Sequence, residues 1–302
     1  MRTRLFACAP SVHRIFARMS SLAASPADAT ASNAAGFEKL AAKPGTVPLY
    51  FQNTYLFLNS NATVLDVRLV GEEEKDLETV VICDATIFHP QGGGQPSDTG
   101  QILQESIVFD VTKVVKGGLF EDNEIWHYGK FKEGETFKVG EKVEQRVNEE
   151  QRRTNARVHS AGHLLDQAMK LAGKGDMLGT KGFHFPSGSY VEFKGGVPAE
   201  ERPALLESLQ KHCDELVAQA IPTRVAYVED EASLRDACLP GAELGALSRL
   251  DDGPVRCVLV AGEKGCPCGG THVDNTSEIK KIVIRKISVK KKMTKISYAV
   301  EA

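Results

Sequence analysis

Two pairs of metal-binding side chains share a four-residue spacing in distant parts of the sequence. His159 and His163 lie in VHSAGHL, and Cys268 and His272 lie in CGGTHV. In a helix this spacing places both imidazoles on one face, one turn apart, where they can bind the same ion. In the second pair, two adjacent glycines let the chain turn so that both side chains point to one side. One thiolate and three imidazoles suit Zn²⁺ and suit Mg²⁺ or Ca²⁺ poorly, so these residues predict a shared zinc site.

Other chemistries fit the cysteines and histidines less well. A redox pair of Cys266 and Cys268 would have the spacing C-P-C, which is one residue shorter than the C-x-x-C of disulfide oxidoreductases. A zinc protease would need the glutamate of H-E-x-x-H, which HSAGH lacks. Cys266 remains an alternative zinc ligand, because it lies nearer to the motif than Cys213 or Cys238.

A glycine-rich stretch far upstream, FHPQGGGQPSDTG, is a second candidate binding feature. Gly92, Gly93 and Gly94 precede Gln95, and consecutive glycines allow very close approach to the backbone. The stretch lacks the Gly-Lys-Ser/Thr of a phosphate-binding loop, and no helix follows it. A flexible hairpin turn is the alternative interpretation.

Basic residues dominate the chain after residue 279. The neighbouring acidic residues are only Glu278 and Glu301. The basic residues are Lys280, Lys281, Arg285, Lys286, Lys290, Lys291, Lys292 and Lys295. On strands, alternation would spread these charges over a face that can meet phosphates. The alternative is a solvated sheet edge, which lysine protects from aggregation.

Length and composition limit the possible classes of protein. A chain of 302 residues predicts two ordinary domains or one large one. The chain is 42% hydrophobic and 25% charged, as in a soluble globular protein, and no apolar stretch is long enough to span a bilayer. A net charge of −3 gives no global attraction to nucleic acid, so any such attraction must be local. Seven scattered cysteines indicate a reducing compartment rather than a secreted disulfide framework.

The first residues differ in composition from the rest. Four arginines and no acid precede Asp28, among many serines and alanines. This composition is typical of organelle transit peptides, and a disordered N-terminal tail is the alternative. Met19 is a candidate second start that would remove the arginines. We therefore leave residues 1–45 out of the predicted fold and expect a cytoplasmic protein, with a mitochondrial form if the leader directs import.

Strand-like runs follow from Val47 and predict a β-domain over residues 46–150. They are rich in β-branched and aromatic residues and are separated by Gly, Asn and acidic turns. The runs are PLYFQNTYLF, ATVLDVRLV, ETVVICDATIF, SIVFDVTKVV and KVEQRVN. Their regular spacing, with no helix between them, predicts a small barrel or sandwich.

The hydrophobic period changes after residue 148. Apolar residues at helical spacing predict one helix over Glu149–Ala172 and a second over Ala199–Ala220. GSYVEF, VRCVLVAG, KKIVIRKISV and KISYAV read as strands. Residues 151–302 are therefore predicted to form an α+β domain, with helices on one face of an antiparallel sheet.

The combination of motifs resembles one family. HSAGH followed about a hundred residues later by CGGTHVDNTSEI resembles the editing domain of alanyl-tRNA synthetases and of their free-standing relatives, the AlaX proteins. GGGQPSDTG is similar to the glycine-rich motif that medium-length AlaX proteins carry in an N-terminal barrel. Threonyl-tRNA synthetase has a related domain, but CGGTHV matches the alanyl branch better. The resemblance covers roughly residues 48–300 and leaves the leader unexplained.

The resemblance implies an α+β protein with a small N-terminal β-barrel, followed by the zinc-binding editing domain shared by threonyl- and alanyl-tRNA synthetases. It implies a zinc-dependent deacylase, taken here as a monomer, that hydrolyses tRNA(Ala) misacylated with serine or glycine. The two pairs of spaced side chains match the family's metal ligands. Thr180, in LGTKGFHF, is then a candidate partner for the seryl hydroxyl, and Gln95 for the oxyanion or the terminal adenosine. Lys286, Lys290 and Lys291 are candidate contacts for the acceptor stem.

Two rival functions stay open on the sequence. A non-catalytic zinc module that binds tRNA or a synthetase would use the metal only to fold, and a closed set of four ligands favours it. A zinc hydrolase for a free small metabolite would have no use for a lysine-rich face. The sequence identifies no carboxylate beside the histidines as a general base.

Overall fold

The computed structural model describes residues 26–43, 45–71, 77–117, 123–132, 134, 136–242, 246 and 250–301. Its first element is a helix, α1 (Pro26–Ala41), inside the segment that the sequence leaves out of the predicted fold. Phe37 is buried, and the side chain of Asn33 donates a hydrogen bond of 2.6 Å to the carbonyl of Val225. The folded chain therefore begins before residue 46, because this helix has a strand to pack against. The arginine-rich start lies outside the described residues.

Six antiparallel strands close into a barrel, which confirms a barrel rather than a sandwich. The six strands are β2 (Leu58–Val70), β3 (Glu78–Cys83), β5 (Gly100–Gln104), β6 (Ile107–Lys116), β7 (Ile125–Phe131) and β8 (Lys142–Val147). Their spatial order around the barrel is β2, β3, β7, β6, β5, β8. Apolar side chains such as Val81, Ile102 and Phe109 fill the interior. The sequence missed β5 and β7, because the first buries only Ile102 fully and the second is interrupted by glycine.

The chain enters the barrel by a turn where the sequence predicts a strand. A two-residue strand, β1 (Val47–Pro48), pairs in parallel with β4 (Ala85–Thr86). A 3-10 turn over Leu49–Phe51 follows at once. Pro48 has no N–H to donate to a strand ladder, and the turn buries the ring of Tyr50. The predicted strand through PLYFQNTYLF is therefore wrong.

The first helix of the α+β part, α2 (Glu149–Met169), carries two of the predicted ligands and confirms the first predicted helix. Asn148 caps it by accepting a hydrogen bond of 3.1 Å from the backbone N–H of Gln151. A π-helical turn over Lys170–Lys174 ends it. The second predicted helix is present as α3 (Arg202–Ala218), after a 3-10 turn.

A second antiparallel sheet consists of β9 (Gly179–Phe183), β10 (Tyr190–Lys194), β14 (Lys281–Lys290) and β15 (Met293–Glu301). Its strands have the order β14, β15, β10, β9, and it lies against α2 and α3. Side chains from the sheet, such as Ile282 and Ile296, share one buried cluster with Leu164 of α2 and Leu209 of α3. This arrangement confirms the α+β prediction.

A smaller three-stranded sheet leads the chain to the second pair of predicted ligands. It consists of β11 (Arg224–Val228), β12 (Val255–Leu259) and β13 (Cys266–Pro267). The short helix α4 (Glu231–Ala237) packs on it through the buried Leu234. Within the described ranges, no helix is long and apolar enough to cross a membrane.

A buried ion pair joins the barrel to the start of α2. The side chains of Arg152 and Asp98 are fully buried, and Nε of Arg152 lies 3.0 Å from Oδ2 of Asp98. The same guanidinium donates hydrogen bonds to the carbonyls of Thr54, at 2.8 Å, and Ile87. Asp98 also accepts a hydrogen bond of 2.6 Å from the backbone N–H of His89. All these partners precede the helix in the chain, so they set its position against the barrel.

Replacing Arg152 with methionine should lower the free energy of unfolding by about 3–5 kcal/mol, because Asp98 would keep a buried charge without a partner. Urea denaturation measures the loss. Arg153→Met is the matched control, since that half-exposed arginine forms a surface pair with Glu149 and its loss should cost less than about 1 kcal/mol. Equal losses in the two variants would contradict a special role for the buried pair.

Candidate metal centre

The four predicted ligands meet at one point. Nε2 of His159 lies 3.3 Å from Nε2 of His163, and Sγ of Cys268 lies 3.6 Å from Nε2 of His159 and 3.2 Å from Nε2 of His272. All four ligand atoms lie within 4.8 Å of one another. A tetrahedral zinc site, with Zn–N bonds of about 2.0–2.1 Å and a Zn–S bond of about 2.3 Å, has edges of about 3.3–3.6 Å. The donor atoms suit zinc, and the three distances of 3.2–3.6 Å match these edges, while the 4.8 Å limit on the whole group is wider than they are.

The loop that carries Cys268 is held in place by Arg256 on β12. Nη1 of Arg256 donates hydrogen bonds of 2.7 Å to the carbonyl of Cys268 and 3.1 Å to the carbonyl of Gly270. The backbone N–H of Cys268 donates back to the carbonyl of Arg256 at 3.0 Å. A Cβ on Gly270 would lie 2.2 Å from Cε1 of His159, so only glycine lets the loop approach the helix this closely.

Gln95 of the barrel holds the ring of His159. Its Oε1 lies 2.7 Å from Nδ1 of His159 and accepts a hydrogen bond of 3.0 Å from the N–H of Thr271, while its Nε2 donates to Oγ1 of Thr271 at 2.9 Å. An amide oxygen only accepts, so Nδ1 of His159 carries the hydrogen and Nε2 directs its lone pair to the metal position. The side chain is fully buried behind a ligand. Its predicted contact with an oxyanion stays a prediction.

The other two imidazoles also have partners on their outer nitrogens. Nδ1 of His272 lies 3.1 Å from Oγ of Ser160, which accepts a hydrogen bond of 3.1 Å from the N–H of Val273. Nδ1 of His163 lies 3.3 Å from Sγ of Cys266. Cys266, the alternative ligand, therefore stands behind a ligand and outside the converging group of four.

Burial keeps the imidazoles of the site neutral. Removal from water, followed by the charges of His184 and Arg256, lowers the pKa of His163 to about 3. The pKa values of His159 and His272 are lowered well below the ordinary value, first by burial and then by neighbouring imidazoles. At neutral pH each ring therefore keeps the lone pair that a metal ligand needs.

His184 is a further imidazole beside the site that the sequence did not single out. Its ring stacks on His159, with centroids 4.4 Å apart and an angle of 22°. Its Nδ1 lies 2.7 Å from the hydroxyl of Tyr298, which donates a hydrogen bond of 2.8 Å to the carbonyl of Val158. Nδ1 must therefore donate to Tyr298, which leaves the lone pair on Nε2. An isolated histidine in GFHF has no spacing partner that could have identified it.

The glycine-rich stretch forms a tight turn. Two backbone hydrogen bonds, of 3.2 and 2.9 Å, join Gly92 and Gln95. Gly93 and Gly94 have φ angles of 56° and 81°, which favour glycine. A Cβ on Gly94 would lie 2.4 Å from the carbonyl oxygen of Gly182, so the close approach at this position is to β9. The stretch thus forms a tight turn that approaches β9 at Gly94, and contact of its glycines with substrate stays a prediction.

A cleft of about 1170 Å³ opens in front of the metal ligands. The structure thereby brings the metal site, the glycine turn and Thr180 of β9 to one surface. The lining residues include His159, His163, Cys268, His184, Gly92, Gly93 and Thr180. Thr180 is exposed, and its hydroxyl donates a hydrogen bond of 3.1 Å to the carbonyl of Glu192.

The lysines predicted to contact tRNA lie outside this cleft. Lys286 is on β14, Lys290 ends that strand, and Lys291 is in the turn to β15, all with exposed side chains. Two strands separate β14 from β9, which places them roughly 14 Å apart at the usual strand spacing. Contact of these lysines with tRNA stays a prediction.

Gln95→Ala should weaken zinc binding about 10- to 100-fold, because His159 would lose the acceptor that fixes its tautomer and ring orientation. Competition with a chromogenic chelator at equilibrium measures the affinity. Gln95→Glu, which keeps an acceptor for Nδ1, should retain most of it. Gln91→Ala is the control, since that side chain is exposed in the same loop. Unchanged affinity in Gln95→Ala would contradict the assigned role.

Two family models match the chain. Residues 19–151 match tRNA synthetases class II (A), and residues 255–295 match the threonyl and alanyl tRNA synthetase second additional domain. The second match covers the loop with Cys268 and His272. The first match ends at residue 151, so neither match covers His159 and His163 of α2, which complete the metal centre.

Curated relatives cover more of the chain. It is 33% identical to the alanyl-tRNA editing protein AlaX-M of Methanosarcina mazei, over 84% of this chain and 95% of that protein. It is 31% identical to AlaX-M of Methanosarcina barkeri, over 84% of this chain and 98% of that protein. An alanine–tRNA ligase of Leptospira biflexa is 31% identical over 71% of this chain.

The share of each relative that the chain covers separates the AlaX-M proteins from the longer relatives. The chain spans only 22% of the Leptospira ligase and 52% of the alanyl-tRNA editing protein AlaX-L of Pyrococcus horikoshii. It spans nearly the whole length of both AlaX-M proteins. The chain belongs to the AlaX family of alanyl-tRNA editing proteins.

Proposed function

We propose that the protein is a trans-editing hydrolase that removes serine, and also glycine, from misacylated tRNA(Ala) at a zinc site. The observation that carries the proposal is the position of the four ligands on the wall of an open cleft. Its volume of about 1170 Å³ exceeds the ~300–1,000 Å³ of ordinary small-ligand pockets, so it has room for the aminoacylated end of a tRNA.

The need for such a hydrolase follows from the chemistry of small amino acids. A synthetase pocket that accepts alanine cannot strongly exclude glycine, which is smaller, or serine, which adds one hydroxyl. Discrimination by binding alone reaches only about 10- to 200-fold in such cases. A second site that hydrolyses the wrong product is then required.

The reaction adds water to the ester carbonyl carbon and breaks the bond between that carbon and the ribose oxygen. The products are the free amino acid and tRNA(Ala). A bound Zn²⁺ would supply a Lewis acid at this ester. His159, His163, Cys268 and His272 would hold the ion, and the exposed backbone of Gly93, with no atom within 4 Å of an added Cβ, leaves room for the terminal adenosine.

A non-catalytic zinc module remains the alternative, because four protein ligands describe a closed, structural site. His163 is half-buried, and three of the ligands line the cleft, which favours a site open to substrate. Removal of the metal separates the two functions. A structural zinc would be needed for folding, whereas a catalytic zinc could leave a folded protein behind.

The wild-type protein should deacylate Ser-tRNA(Ala) and leave Ala-tRNA(Ala) intact, and Cys268→Ala should lose about 100-fold or more of this activity. Release of labelled amino acid measures the rates, and circular dichroism checks the fold. Cys83→Ala, which removes a buried thiol in the barrel, is the control. No hydrolysis by a folded, zinc-loaded protein would reject the enzyme and favour the zinc module.

We propose that Thr180 recognises the seryl hydroxyl. It lines the cleft on the strand that faces the metal site, and its hydroxyl oxygen keeps lone pairs free while its hydrogen is donated to Glu192. Glycine offers no hydroxyl to this partner. The contact would therefore favour the serine ester alone.

Thr180→Val keeps the shape of the side chain and removes its hydroxyl. The kcat/KM for Ser-tRNA(Ala) should fall about tenfold, the value of one hydrogen bond, while that for Gly-tRNA(Ala) should stay the same. Thr180→Ser should behave like the wild type. Parallel losses on both substrates would show that Thr180 supports the strand rather than the serine.

The exposed lysines of β14 and its turn complete the proposal. At roughly 14 Å from β9 they lie too far away to touch the ester, but a phosphate of the acceptor stem could reach them. Lys291 and Lys292 have φ angles of 49° and 61°, the conformation of a two-residue hairpin turn, and this turn presents both side chains to solvent.

A further inference from the structure

The metal-facing side of α2 carries a carboxylate that the proposed reaction has not used. Asp166 follows His159 by seven residues and His163 by three, a spacing that places all three on one helix face. It lies about 4.5 Å further along the helix axis than His163. Its side chain lines the same cleft as the metal ligands. The sequence alone does not identify this acid, because Asp166 lies outside the HSAGH motif.

Asp166 is held away from water without a cation to balance it. Its side chain is half-buried, and Oδ1 would lie 3.1 Å from a Cβ on Gly179, the residue before Thr180. Within the described part of the chain, the carboxylate of Asp166 makes no salt bridge or hydrogen bond. Desolvation alone raises the pKa of this carboxyl to about 7. A carboxylate in this state gains strongly from a cationic ligand.

Charged side chains of both signs line the cleft. Asp166 and Glu263 are the acids among the described residues that line it, and Glu263 is exposed at the rim. Four lysines also line the cleft, Lys116, Lys170, Lys181 and Lys264, and none of them forms a salt bridge with Asp166. A positive group on a bound substrate therefore has one desolvated carboxylate within the cleft to pair with.

Aminoacyl esters carry such a group next to the bond that breaks. The α-ammonium is attached to the carbon beside the ester carbonyl, so a substrate whose carbonyl lies at the metal ligands must place its ammonium close by. The face of α2 that holds His163 also holds Asp166, and the adjacent strand β9 holds Thr180. The ammonium and the side-chain hydroxyl of serine would thus meet two different side chains.

We propose that the carboxylate of Asp166 binds the α-ammonium group of the aminoacyl ester and thereby limits the substrates to aminoacyl-tRNAs with a free amino group. This inference rests on the proposed function. Pairing at Asp166 holds the amino group away from the metal and turns the carbonyl toward it. Because serine, glycine and alanine all carry the ammonium, the contact orients the ester without distinguishing these amino acids. N-acylated aminoacyl-tRNAs would lack the charge.

The test compares Ser-tRNA(Ala) with glyceroyl-tRNA(Ala), in which a hydroxyl replaces the ammonium. The wild type should prefer the seryl ester about 10- to 100-fold in kcat/KM, the range of a charge-assisted hydrogen bond. Asp166→Asn should lose this preference by slowing on the seryl ester alone. Glu263→Gln neutralises the other acid of the cleft and should keep the wild-type preference, and Asp166→Glu should keep part of it.

Zinc content and circular dichroism establish that each variant is folded and loaded. Equal losses on both esters in Asp166→Asn would overturn the proposal, because a structural or general-base role does not depend on the ammonium. An unchanged preference would overturn it as well. If Asp166→Asn does not fold, equal kcat/KM values for the seryl and glyceroyl esters, in the wild type or in Asp166→Glu, would also overturn the proposal.

A binding measurement separates this inference from the proposed function. If the wild type hydrolyses neither ester, the hydrolase proposal fails, and calorimetric titration with non-hydrolysable 3′-seryl-amido and 3′-glyceroyl-amido adenosine then decides the role of Asp166. Tighter binding of the seryl compound, lost in Asp166→Asn, would support the ammonium contact. Equal binding of the two compounds would overturn it.

Discussion

The metal centre depends on the hydrogen bonds of one buried amide. Gln95 comes from the barrel, accepts from His159 on α2 and contacts Thr271 through both its oxygen and its nitrogen. A buried amide that lost these partners would carry unsatisfied polar atoms, so all three segments are held in one arrangement. The same arrangement fixes the tautomer of a metal ligand. The barrel is thus part of the metal centre, although it contributes no ligand.

A second buried contact acts in the same direction at the start of the helix. Arg152 reaches from α2 to Asp98 and to the carbonyls of Thr54 and Ile87. Asp98 is three residues after Gln95, so the glycine turn, its glutamine and this acid form one short segment. This segment contacts α2 at two positions, Arg152 and His159.

The cleft combines neutral and charged groups in a consistent way. Burial lowers the pKa of His163 to about 3 and the pKa of His184 to about 4, so these two imidazoles carry no positive charge at neutral pH. The same burial raises the pKa of Asp166 to about 7. A substrate with an ammonium next to an ester would complement this distribution: its cation would offset the desolvated acid and its carbonyl would face the metal. The exposed lysines of β14 and its turn lie outside the cleft, whereas four other lysines line it: Lys116, Lys170, Lys181 and Lys264.

The sequence by itself determined what depends on local spacing. The helical period located α2 and α3, and the two four-residue pairs named His159, His163, Cys268 and His272, which the structure brings within 4.8 Å. Tertiary structure alone decided the partners of these ligands. Gln95, Arg256 and His184 are isolated in the sequence, and their contacts arise because distant segments fold together. Periodicity reports only the few residues that share one face of an element, whereas a hydrogen bond between elements depends on the path of the whole chain.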